Sequence, residues 1–184
     1  MRCFIAIDIP NEIKKKIEPL IKELNVNGIK PVEVDNLHIT IKFLGEINEG
    51  KRKKVEKTLN HISFLPFSIS LAGIGAFPNE NYIRVIWIGS YSSELVDLIK
   101  EIDEKMFRLG FKRERDYVPH LTIARVKRRP EIDLKTFLTK YKSKEFGSFV
   151  VYNIKLKKST LTSKGPIYED VFIKSSTQHT RNTK

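Results

Sequence analysis

His38-Ile39-Thr40-Ile41 and His120-Leu121-Thr122-Ile123 are the two stretches of this chain on which its reading turns. Each is a His-x-Thr-x unit with aliphatic residues at both x positions. Side chains one residue apart on a strand point to opposite faces, so the alternation predicts two β-strands. His38 and Thr40 then share one face and Ile39 and Ile41 the other; His120 and Thr122 are set against Leu121 and Ile123 in the same way. Each strand thus presents an imidazole and a hydroxyl together and buries an aliphatic pair behind them.

Working outward, the same order of elements is written twice. Residues 2–8 read as a strand, and Pro10 opens a helix with an apolar stripe through Ile13, Ile17, Leu20, Ile21 and Leu24. The first His-x-Thr-x strand runs to Gly45, and a helix over 49–62 follows. After a strand at 66–76 and a turn at Pro78–Asn81, the order restarts. A strand at 82–89 leads to a long helix capped by Ser92 or Ser93 and stopped by Gly110. Its apolar stripe is Leu95, Leu98, Ile99, Ile102, Met106 and Leu109. The second His-x-Thr-x strand comes next, then a short helix at 132–141. The separations from Ile5 to His38 and from Ile86 to His120 are nearly equal, which indicates an internal duplication with two pseudo-equivalent lobes. Strands at about 146–158 and 167–174 close the unit; 175–184, lacking an apolar anchor, is expected to fray.

Composition narrows the function classes. The 184 residues suit one compact domain, and 34 Lys and Arg against 22 Asp and Glu give a net charge of +12. Such an excess favours an anionic partner, with nucleic acid the usual candidate. Cys3 is the only cysteine, which leaves no intrachain disulfide and no cysteine-based zinc site. It sits among apolar strand residues and reads as an inert buried thiol. The apolar run at the N-terminus ends at Asp8, too short for a signal peptide, and no stretch approaches the ~20 residues of a membrane span. A cytoplasmic protein is expected.

One histidine on an apolar strand is usually a satisfied core residue. Two of them, each followed two residues later by threonine, are hard to read that way. His61, at a helix end, and His179, in the tail, lack the pattern. Two histidines without a third ligand or a His-Glu-x-x-His motif do not make a zinc site, and no glycine-rich phosphate loop is present, so neither a metal nor another cofactor is expected. What the two units do supply is a pair of proton-transfer groups and a pair of hydroxyl donors, the set that in-line displacement at phosphorus requires.

These paired units resemble the signature of the 2H phosphoesterase superfamily. RCFIAIDIP at the start, NLHITIKFLGEI around the first unit and VPHLTIARVK around the second are similar to its RNA 2′,3′-cyclic phosphodiesterase branch, also called 2′-5′ RNA ligase, over roughly residues 1–174. The resemblance implies a bilobal α+β fold. In it, two antiparallel sheets related by a pseudo-two-fold axis line a central cleft, with helices packed outside. It also implies metal-independent opening of RNA 2′,3′-cyclic phosphate ends, tRNA fragments being one candidate, to 2′-phosphates. His38 would be the proton donor, His120 the proton acceptor, and Thr40 and Thr122 the donors to the non-bridging oxygens. Exchange of the histidine roles by microscopic reversibility would give 2′-5′ ligation without ATP.

Two basic residues flank the units. Lys42 shares parity with His38 and Thr40 and should point into the cleft on a regular strand. Arg125 stands where the family has an arginine after the second motif, implying a phosphate contact, yet its parity opposes that unless a bulge or the strand end re-aims it. Lys127, Arg128 and Arg129, with Lys112, Arg113 and Arg115, are either a surface that tracks a nucleic-acid backbone or a solvated face. Phe43 and Trp87 read as core. A monomer acting on RNA ends is the main reading; a basic RNA-binding module without chemistry, and a hydrolase of a small cyclic nucleotide such as ADP-ribose 1″,2″-cyclic phosphate, are the alternatives.

Overall fold

Four helices and nine strands make up the computed structural model of the protein, which describes residues 1–114 and 116–178. The first half runs β1 (Arg2–Asp8), α1 (Asn11–Glu23), β2 (Ile29–Pro31), a 3₁₀ turn at Val34–Asn36, β3 (His38–Glu46) and α2 (Glu49–Asn60). Then come β4 (Phe67–Asn79), β5 (Tyr82–Tyr91), α3 (Ser93–Arg108), β6 (His120–Val126) and α4 (Leu134–Tyr141). The chain closes with β7 (Glu145–Val151), β8 (Asn153–Thr162) and β9 (Gly165–Ser175). Capping follows local chemistry: Ser92 accepts from Leu95 N–H at the start of α3, Asn48 from Lys51 N–H at α2, and Asp133 from Lys135 and Thr136 N–H at α4. Among the described residues no helix is long and apolar enough to cross a membrane.

The strands form a curled antiparallel sheet in the order β7-β4-β5-β6-β3-β1-β8-β9, with β2 also on β6. The two expected sheets are its two four-strand halves, fused at one edge. β3 and β6 meet through a single registered pair, Ile39 with Leu121, because β2 occupies the rest of that edge through residues 124–126. Freed from a full ladder, the halves splay there. β6, β5 and β4 on one side mirror β3, β1 and β8 on the other, and β1-α1-β3 has its counterpart in β5-α3-β6.

Two of the helices reach across to the other half. α1 packs on β7 and α3 on β3, and Ile13 Cδ1 lies where a Cβ at Gly147 would meet it. One hydrophobic cluster therefore takes Ile39 and Ile41 from one half and Leu121, Ile123 and Ile86 from the other, together with Ile13, Ile17, Ile102 and Met106 of the helices. The chain crosses between halves at Tyr152, where the single strand expected over 146–158 divides into β7 and β8. Pro78 and Asn79 lie in β4, leaving Glu80 and Asn81 as the turn; Asn79 Oδ1 accepts from the N–H groups of Asn81 and Tyr82. The frayed tail expected over 175–184, including His179, falls largely outside the described residues, but Ser176 and Thr177 donate to the carbonyls of Tyr152 and Phe64.

Candidate active site

Both His-x-Thr-x units open their strands, and both histidines are held the same way. His38 Nδ1 lies 2.7 Å from the Asn36 carbonyl and His120 Nδ1 lies 2.7 Å from the Val118 carbonyl. A carbonyl only accepts, so Nδ1 carries the proton in each ring and Nε2 is the free, basic nitrogen. His38 Nε2 is 3.1 Å from Thr40 Oγ1. Extending the antiparallel Ile39–Leu121 pairing by one residue each way sets His38 opposite Thr122 and Thr40 opposite His120. Tyr117 ties the units together, its hydroxyl donating to the Thr40 carbonyl while its ring stacks 5.7 Å from His120. Burial raises the proton affinity of that phenol, so it remains a neutral donor.

Each unit also contains a bulge one residue past its threonine. In β3, Ala6 faces Thr40 and Ile5 faces Lys42, leaving Ile41 unpaired. In β6, Trp87 faces Thr122 and Ile86 faces Ala124, leaving Ile123 unpaired. A bulge inverts the alternation beyond it. Lys42, expected in the cleft, is instead turned to the helical side and is 2% exposed. Its Nζ lies 2.5 Å from Asp103 Oδ1 on α3 and 2.5 Å from the Lys112 carbonyl. Arg125, whose parity opposed a cleft position, is re-aimed to the histidine face. Its charge lowers the proton affinity of both His38 and His120 and also acts on Tyr168. Phe43, expected in the core, is 55% exposed; it is the counterpart in β3 of Arg125 in β6.

The two histidines have different neighbours. Around His120 stand Phe77, edge-on at 4.9 Å, and Trp87 at 6.2 Å. Trp87, half-buried on the same face rather than in the core, has room because a Cβ at Gly75 would lie 2.3 Å from its ring. Phe4 at 4.9 Å and Tyr168 at 5.3 Å, edge-on, surround His38. Next to it lies a quartet of charges: Lys155 and Lys157 each reach Asp8 (2.7 and 2.8 Å) and Asp170 (2.6 Å each). Burial works to raise the Asp8 and Asp170 carboxyls, but the two ammonium groups hold both below their ordinary range.

Burial pushes both histidines below their usual proton affinity; the carbonyl bonds act against this and Arg125 adds to it. At His38, Lys157 lowers the affinity further and Asp8 raises it. Reasoning from the sequence missed Tyr117, Asp8, Lys157 and Tyr168. Asp8 had a signal as the carboxylate that closes an apolar strand, but its place against His38 comes from the β1–β3 register, which the sequence does not carry. Lys127, Arg128 and Arg129 are exposed beyond β6, and Lys112 and Arg113 beside β3; Arg115 lies outside the described residues. Cys3 is buried, and burial raises its thiol. Among the described residues no three His, Cys, Asp or Glu side chains are grouped to hold a metal ion.

A model of LigT-like phosphoesterases matches the chain twice, over residues 7–87 and 89–168, and each match contains one His-x-Thr-x unit. An RNA 2′,3′-cyclic phosphodiesterase of Methanocaldococcus jannaschii is 56% identical over 174 residues, covering 92% of this chain and 97% of its own. Among solved structures, TT0787 of Thermus thermophilus superposes with a TM-score of 0.83 at 26% identity, over 95% of this chain and 97% of that one. Escherichia coli LigT complexed with 3′-AMP gives 0.80 at 26% identity, over 96% and 98%.

Proposed function

Because the chain belongs to the LigT-like phosphoesterase family, we propose that it hydrolyses RNA 2′,3′-cyclic phosphate ends to 2′-phosphate ends without a metal ion. The observation that carries this reading is the matched pair of Nδ1–carbonyl bonds, which leaves two Nε2 atoms, each with a threonine hydroxyl on its face. The substrate class comes from relatives named for it and from the 3′-AMP complex of E. coli LigT.

In this mechanism His120, neutral in its aromatic surroundings, takes a proton from water at Nε2. The water oxygen bonds to phosphorus, the bond to the 3′-oxygen breaks, and protonated His38 delivers its Nε2 proton to that oxygen. Each positioned transfer is worth about 10²–10⁴-fold. Thr40 and Thr122 donate to the non-bridging oxygens, and Arg125 supplies positive charge where the transition state is most anionic. A 5′-hydroxyl in place of water would leave a 2′-5′ linkage. No exchange of roles is then needed, since it attacks the same phosphorus and expels the same oxygen. The whole of residues 1–174 acts as one bilobal unit, since each half contributes one histidine and one threonine.

Incubation with an RNA oligonucleotide ending in a 2′,3′-cyclic phosphate, in EDTA, tests the reading. Conversion to a 2′-phosphate end, lost in His38→Ala and in His120→Ala, is the expected result. Tight binding without conversion would replace it with a non-catalytic RNA-binding module. Turnover of ADP-ribose 1″,2″-cyclic phosphate but not RNA would replace it with small-nucleotide chemistry.

A further inference from the structure

A groove of about 1020 Å³ runs beside β3, lined by Phe43, Phe107, Phe111, Lys112, Arg113 and Glu114 among others. Resting on the phosphodiesterase reading, we propose that this groove receives the bases of nucleotides upstream of the cyclic end, so that an RNA strand is preferred over a cyclic mononucleotide.

Three observations point there. First, the groove is continuous with the site. The Phe4 ring lies 4.9 Å from His38 and 6.4 Å from Phe43, and the bulge at Ile41 turns Phe43 to this face. Phe43 is three residues past Thr40, about 10 Å along an extended strand, beyond the ribose that bears the reacting phosphate. Second, its aromatic rings face solvent: Phe43 is 55% and Phe107 47% exposed. Third, cations interleave with those rings. The Arg113 guanidinium sits 4.3 Å from the Phe107 centroid and the Lys51 ammonium 4.8 Å from that of Phe111. Aromatic platforms flanked by cations suit single-stranded nucleic acid, whose bases stack while its phosphates meet positive charge. Glu114 and Asp103 share the buried Lys42 ammonium, at 3.8 and 2.5 Å, and Arg113 pairs with Glu104, so with Lys51 and Lys112 four cations face three carboxylates and the groove stays net positive.

The test compares kcat/KM for a 2′,3′-cyclic mononucleotide with that for a tetranucleotide ending in the same residue, alongside anisotropy of the labelled tetranucleotide. Phe107→Ala should reduce the oligonucleotide-to-mononucleotide ratio about tenfold to a hundredfold, the loss expected of one stacking platform, and Phe107→Trp should restore it. Phe107 is at the surface, so the substitution opens no core cavity. An unchanged ratio with unchanged tetranucleotide binding would overturn the proposal. Should neither substrate turn over, the phosphodiesterase reading fails by itself; weaker tetranucleotide binding by Phe107→Ala would still support the groove, and equal binding would overturn it.

Discussion

Replacing Lys42 with methionine separates two roles for this residue, cleft ligand and buried structural cation. Methionine keeps the apolar stem and removes the ammonium. Asp103 Oδ1, 2.5 Å from Nζ, is left with the Glu114 N–H at 3.2 Å, and the Lys112 carbonyl loses its donor. Breaking a buried pair by removing one partner costs about 3–5 kcal/mol. The Asp103 side chain is 14% exposed and partly hydrated, so the lower end applies; the lost carbonyl bond adds about 1 kcal/mol. A total near 4 kcal/mol, with a urea m-value of about 2–3 kcal/mol/M, lowers the unfolding midpoint by about 1.3–2 M. Urea titration followed by circular dichroism reads this directly. Lys42→Met combined with Asp103→Asn removes both charges, keeps an acceptor for Glu114 N–H, and should recover more than half the loss. Refutation would be a Lys42→Met protein with wild-type stability and a severalfold higher KM for RNA, the behaviour of a cleft ligand.

Thr40→Ala and Thr122→Ala should each lower kcat about 10²–10³-fold by removing a donor to the phosphate oxygens, in single-turnover assays with stability unchanged within about 1 kcal/mol. The pH profile of kcat/KM should peak on the acid side of pH 6.5, because the base must be neutral and the acid protonated while both histidines are held below their ordinary value. Arg125→Met removes a cation that lowers both, so both limbs should move to higher pH while KM rises. Asp8→Asn removes the carboxylate that raises His38 and leaves Lys157 acting against it. With His38 as the acid, the alkaline limb alone should move to lower pH; movement of the acid limb instead would assign His38 as the base.

Strands and helices with a clean period were legible. β1 spans Arg2–Asp8 as read, α1 begins after Pro10, and the stripe Leu95, Leu98, Ile99, Ile102 and Met106 is the buried face of α3. Alternation in one chain says nothing about which residues a neighbouring strand pairs with, and a bulge exists only in that pairing. Ile41 and Ile123 are aliphatic in both the regular and the bulged register, so nothing local marks them. The errors of direction along β3 and β6 follow from those two residues, which put Lys42 on the helical side, Phe43 at the surface and Arg125 on the histidine face; Trp87, on β5, is a separate departure. Tyr152 escaped for a related reason, since β7 and β8 continue an apolar alternation with no Gly or Pro at their junction and part because they pair with opposite halves of the sheet.

The differences between the halves let a near-symmetric scaffold support a reaction with a direction. Duplication supplies two equivalent imidazoles, two hydroxyls and two bulges, and hydrolysis requires one proton acceptor and one donor. Aromatic rings surround both histidines, Phe77, Trp87 and Tyr117 at His120 and Phe4 and Tyr168 at His38, and burial favours the neutral imidazole at each. Among the described residues only His38 has a carboxylate, Asp8, registered against it across the strand pair; Asp8 acts toward the imidazolium that the proposed acid role needs, and Lys157 and burial act against it. The residues after the bulges differ in the same sense, with Phe43 offering a ring where Arg125 offers a charge. Under the proposed mechanism, a substrate whose base meets Phe43 and whose phosphate oxygen meets Arg125 would bind in one orientation, with its 3′-oxygen beside His38.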